Sequence, residues 1–256
     1  GIVGVAAAEY AGVVLAELAF PGNFAVLFTA AAVILTASVV PLLWTREPPD
    51  QIADERRSVR QYLADAVRSA GGDREYAWAV AAIAALSFAL AAASFYSTYA
   101  VRELGAGTRD VARFTAITLG ASVVGMPLLG RIADKRGHKL SLEITAICFA
   151  VAAALALFAG SVESVYAVVL FSGIGMSGIS VSQNLLLSEF APTHADVPMY
   201  IAFSWLVLAP FRTGAPIVAG LVSDLASFHA MFWIALVAAA LSLAVLVIAV
   251  REPRHR

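Results

Sequence analysis

Charge is the first thing in short supply. Asp, Glu, Lys and Arg make up 14% of the 256 residues, against about 25% in an average water-soluble domain. Hydrophobic residues reach 61% and the mean hydropathy is +0.83, which excludes an ordinary water-soluble globule. The formal charge of -1 gives no basic surplus for nucleic acid. Cysteine is nearly absent. The single Cys148 lies inside an apolar run, so no intrachain disulfide exists. No basic segment precedes the first apolar run, so no cleavable signal peptide is expected. The chain opens at Gly1, already within an apolar run and without an initiating Met, so a fragment of a longer chain is expected. A Gly-rich nucleotide loop is also missing, and no metal or cofactor is expected.

What is present is a succession of apolar runs near 20 residues, long enough to cross about 30 Å of hydrocarbon. Eight spans are expected, at 2–19, 24–44, 77–100, 112–130, 139–160, 164–187, 198–221 and 230–250. Glu9 and Glu17 interrupt the first. The runs are solid rather than alternating and about twice the length of a barrel strand, so they read as helices. Of the 17 Lys and Arg residues, six fall in 45–76, four in 131–139 and three in the C-terminal "REPRHR". With eight spans these thirteen share one side, against Arg102, Arg109 and Arg113 on the other. That bias favours the side with thirteen as cytoplasmic. In the long polar segment, Pro48 and Pro49 stop the preceding helix. Ile52, Val59, Leu63 and Val67 then recur at near-helical spacing, the pattern of a surface helix or a solvated linker helix.

Two distant segments look alike. "FPGNFAVLFTAAAVILTASVVPLLWTREPPD" and "SFHAMFWIALVAAALSLAVLVIAVREPRHR" each have a Phe at the entry, run apolar and carry Arg-Glu-Pro at the exit, with Arg46 and Arg251 205 residues apart. Duplication explains the pair. Residues 1–45 then read as the last two helices of a first six-helix half. Residues 46–76 are a linker with an amphipathic helix, and 77–256 a complete second half. On that offset about 130 residues and four helices are expected ahead of Gly1. Transporters are commonly built from such repeats, with the site between them.

"GRIADKRGHKL", residues 130–140, packs Arg131, Asp134, Lys135, Arg136, His138 and Lys139 between long apolar runs. Gly130 and Gly137 suit a tight reversal, and Lys135, Arg136 and Lys139 suit cytoplasmic anchoring. Asp134 adds nothing to anchoring. It could pair with Arg131 or Arg136, or sit at a neighbouring helix N-terminus, as one contact of a conformational latch; the alternative is a purely topogenic loop. The stretch resembles the signature loop of the major facilitator superfamily of secondary transporters at Gly130, Asp134, Lys135, Gly137 and Lys139, with His138 where the family usually has Arg. The resemblance implies an all-α integral membrane bundle whose chain is the last eight of twelve helices. It also implies a gating role for Gly130, Asp134, Lys135, Arg136, Gly137 and Lys139, and gradient-driven transport of a small solute by alternating access. The expected setting is the lipid bilayer of the plasma (inner) membrane, with a monomer when full length and a small-molecule substrate as the partner.

Polar groups within spans are the other candidates. Arg212, in "LAPFRTGAP", lies roughly 15 Å from the outer end of its helix. It suits an anionic substrate group or a coupling partner, or else snorkels or pairs structurally. Glu9 has similar depth, as a proton carrier, a partner for Arg212, or a side chain at a wet groove. Gly4, Ala8, Gly12 and Ala16 read as a packing face, as do Gly173, Gly175 and Gly178. Gln183 and Asn184 are cross-helix hydrogen-bonding groups or substrate contacts. Tyr96 and Tyr99 fit an outer aromatic belt, or else the cavity wall. Two rival functions are carried. "GMSG" at 175–178 resembles the nucleophile motif of rhomboid-type intramembrane serine proteases, which needs a positioned base, and His194 and His229 are poorly placed for that. The other rival is a non-transporting membrane scaffold.

Overall fold

A solid apolar run inside lipid has one way to satisfy its backbone without partners, the α-helix. The computed structural model describes residues 21–44 and 72–253, and among these it contains helices and no strand. The helices are α1 Gly22–Val39, α2 Arg74–Leu104, α3 Thr108–Arg136, α4 His138–Leu157, α5 Val162–Ser188, α6 Val197–Leu225 and α7 Phe228–Ala249. A 3₁₀ turn, Val40–Trp44, follows α1, and another, His194–Asp196, leads into α6. Seven helices among the described residues are long and apolar enough to cross a membrane. They answer to the spans expected from 24–44 onward. Span 2–19, Glu9, the helical part of the linker and Arg46, Glu47 and Pro48 lie outside the described residues.

Local signals set the helix ends. Asp73 caps α2, accepting hydrogen bonds from the Glu75 and Tyr76 amides at 3.0 and 3.1 Å, and Gly105 closes it at φ +73°, the left-handed stop that glycine favours. Asp110 reaches back to the Gly107 amide at 3.1 Å to open α3. Ser227 caps α7 through the Ala230 amide at 3.1 Å. The reversals are therefore short, and α2 to α7 run up and down.

These six helices form one packed body. α5 lies against α3 and α4, α7 against α2 and α4, and α6 against α2. Small residues make the approach close. A Cβ on Gly178 would overlap the Thr145 hydroxyl of α4, and one on Gly173 would overlap the Thr118 carbonyl of α3. Gly175 is packed against the Phe149 ring, 3.0 Å from where its Cβ would stand. Aromatic clusters tie the two ends. At the linker end Tyr76 donates to the Tyr200 carbonyl at 2.6 Å, and at the opposite end Tyr99 donates to the Ala159 carbonyl at 2.6 Å. The outward faces of α3, α6 and α7 are apolar and exposed, Leu128, Leu206, Leu221 and Val237 among them, as a lipid-facing surface requires.

Two expectations change. The charged stretch is no loop at its start. α3 continues to Arg136, so Gly130 is helical and only Gly137 makes the turn, at φ +97°. The reason is that Leu129 and Ala133 extend the buried stripe of α3 by another turn, while Arg and Lys are good helix formers. Tyr96 and Tyr99 are not at a lipid interface. Both are buried against α7, with Tyr96 5.5 Å from Phe232 and Tyr99 5.6 Å from Phe228 between ring centroids, because the aromatic start of α7 offers them a drier partner.

Candidate functional site

Four helices each turn one face toward a common cavity of about 450 Å³. On α2 the lining residues follow helical spacing through Ser87, Leu90, Ala91, Ser94 and Ser97, positions that share one side of a helix. Thr115, Thr118 and Leu119 come from α3, Val169, Ser172 and Met176 from α5, and Arg212 and Pro216 from α6. The wall is thus apolar with a scatter of hydroxyls, and Arg212 is its one charged group among the described residues. Ser87, Thr115 and Thr118 donate to carbonyls of their own helices, at 3.1, 3.0 and 2.9 Å. Their oxygens remain free to accept, since a hydroxyl has two acceptor lone pairs.

Arg212 is positioned rather than loose. Its Nη2 donates to the Gln183 side-chain carbonyl of α5 at 2.6 Å, and Gln183 is buried. The guanidinium also lies 4.3 Å from the centroid of Trp205, seven residues earlier and so two turns back on the same helix. Nε is shielded and has no hydrogen-bond partner among the described residues. Pro210 and Pro216 stand on either side within α6, each depriving a carbonyl one turn earlier of its amide donor. Arg212 thus has a hydrogen bond and a ring beneath it, both neutral.

The remaining candidates are dispersed. Asn184 is exposed and, with Tyr96 and Tyr99, does not line the cavity. Glu9 lies outside the described residues. Ser177 is packed against Gly125 of α3 and donates to the Ile174 carbonyl at 2.6 Å. It is a helix-packing serine, and the buried His138 meets Ser182 instead, at 3.3 Å.

The charged stretch forms a second locality at the linker end. Asp134, Lys135 and Arg136 are exposed in the last turn of α3. Lys139 pairs with Glu143 at 3.3 Å. Gly137 is buried beneath the carboxylate of Glu252, which occupies the space a Cβ would need. Glu252 belongs to the second Arg-Glu-Pro, so that motif contacts the charged turn directly. His138 follows, with Nε2 4.0 Å from Glu189 and Ser182 donating onward to Ser141 at 2.7 Å.

Sequence reasoning singled out Arg212 and Gln183 but not their union. It also passed over Trp205 and the hydroxyl face. The i, i+7 interval joining Trp205 to Arg212, and the recurrence of Ser87, Ser94 and Ser97, were the signals available. Compared with known proteins, residues 2–211 match a family model described as Major Facilitator Superfamily. No curated protein matches the chain.

Proposed function

The chain belongs to the major facilitator superfamily, whose members carry small solutes across membranes, and from that premise we propose that α2–α7 form one half of a gradient-driven, alternating-access transporter. The cavity of α2, α3, α5 and α6 is its half of the solute pathway, and residues 1–45 end the other half. The observation that carries this reading is Arg212, a charged side chain held inward at mid-helix depth, since charges there face a water-filled path or a binding site. Rocking of two halves about such a site is how repeat-built carriers expose it to each side in turn. The protein is multi-pass, and its setting is the plasma membrane with the 46–76 segment and C-terminus in the cytoplasm, as the positive-charge bias favours.

The test uses the full-length protein with Cys148→Ala and single cysteines at Ser94 or Thr118. Membrane-impermeant thiol reagents are applied from either side. Each cysteine should react from both sides, and reagents or variants that hold one conformation should shift the balance between sides. Cysteines at Ser58 and Ser161 should report opposite faces. Reaction at Ser94 and Thr118 from one side only, whatever the conditions, would remove alternating access.

A further inference from the structure

We propose that the solute is a small organic monoanion of the carboxylate class, and that Arg212 takes its anionic group. The inference rests on the transport reading of the cavity, and it starts from an imbalance of charge. A guanidinium inside a membrane bundle is costly and normally meets a carboxylate or a water-filled path. Arg212 meets neither Asp nor Glu among the described residues. Its partners are the amide oxygen of Gln183 and the ring of Trp205, and the other lining residues of its cavity are apolar, Ser or Thr. Both partners orient the group and leave its full positive charge in place.

Donor capacity points the same way. A guanidinium carries five N–H groups in a planar fork matched to a carboxylate. Gln183 takes one of them, and Nε has none of its needs met. The Gln183 bond and the Trp205 ring, 4.3 Å from the guanidinium carbon, restrain the fork, so an arriving carboxylate meets donors already held in place. The rest of such a solute would lie along Ser94, Ser97 and Ser172, with Ser87, Thr115 and Thr118 offering acceptor oxygens. A cavity of about 450 Å³ is of small-metabolite size. Among the described residues nothing offsets the charge of Arg212, so the cavity wall they form repels a cationic solute.

The experiment reads protection of a cavity cysteine in the full-length Cys148→Ala, Ser94→Cys protein. Labelling rates are measured with sodium lactate or sodium benzoate, with lactamide or benzamide as uncharged matches, and with sodium chloride. The carboxylates should slow labelling at least threefold, and the amides and chloride should not. Arg212→Gln should abolish the protection. Arg212→Lys, which keeps charge but not the fork, should keep it only at carboxylate concentrations tenfold or more higher. Equal protection by the amides or by chloride would overturn the assignment, as would protection that survives Arg212→Gln. A cysteine that labels from both sides but is protected by no carboxylate would overturn the anion assignment alone. A cysteine that never labels would overturn the transport reading and this inference with it.

Discussion

Arg212 and Tyr96 represent two fates of a polar atom inside an apolar bundle. Arg212 is oriented by neighbours and faces a cavity, whereas the Tyr96 hydroxyl is buried without a hydrogen-bond partner among the described residues. An unsatisfied buried hydroxyl contributes nothing to stability and carries its desolvation cost. Tyr96→Phe should therefore be neutral or stabilising, whereas Tyr99→Phe, which strips the Ala159 carbonyl of its donor, should cost about 0.5–1.5 kcal/mol. Thermal unfolding of the two variants in the same detergent tests the contrast. Transport should be unchanged in Tyr96→Phe, because the ring packs on Phe232 and its hydroxyl faces no solute. If Tyr96→Phe melts earlier than Tyr99→Phe, the packing account of this end fails. Arg212 was legible in the sequence because a lone charge in an apolar run is conspicuous. Its partners were not, because Gln183 lies 29 residues away on another helix, and which helix faces meet is settled only in three dimensions.

Among the elements, the turn between α3 and α4 is the most constrained. One residue, Gly137, reverses the chain at φ +97° and ψ 155°, a region open essentially to glycine alone. The Glu252 carboxylate then closes the space above it. Two separate penalties should follow from Gly137→Ala. The backbone term is about 1–3 kcal/mol, and displacement of Glu252 adds to it. Glu252→Ala in the same chain should recover the displacement and leave the backbone term. Chemical or thermal unfolding of the two single variants and the double variant separates them, and a double variant no more stable than Gly137→Ala would show that Glu252 does not restrict the turn. Gly130 illustrates what pattern reading misses. A glycine beside a run of charge suggests a turn, yet here the apolar stripe of α3 continues through Leu129 and Ala133, and burial outweighs the local signal. The positions of the seven described spans were legible for the opposite reason. A solid apolar run needs only length and hydropathy to become a helix in lipid, and both are properties of the sequence in one dimension.

At the scale of the whole molecule the question is what the charged turn does when the halves move. Asp134 sits in the last turn of α3, the negative end of that helix dipole. The dipole disfavours a carboxylate there, so its contacts with positive groups or another helix's N-terminus carry added weight. Lys135 and Arg136 beside it suffice for topology, which follows Lys and Arg and not Asp. Asp134 is accordingly proposed as part of a latch, made in one conformation and broken in the other, with the Glu252 contact at Gly137 joining the same turn to the end of α7. In the full-length protein, Asp134→Asn keeps shape and removes charge. Insertion and expression should stay normal. The inward–outward balance should shift by about 0.5–2 kcal/mol, the worth of one partly exposed charge contact present in a single state. That corresponds to a population change of roughly twofold to thirtyfold, large enough to alter cysteine accessibility at Ser94 and the transport rate together. Lys135→Gln is the comparison, since it removes a neighbouring charge of opposite sign from the same turn. Should both variants express normally and leave accessibility and rate untouched, the turn is a topological anchor and the latch is refuted. A shift in Asp134→Asn alone would place the switch on that carboxylate, because a general effect of charge on this surface would move both.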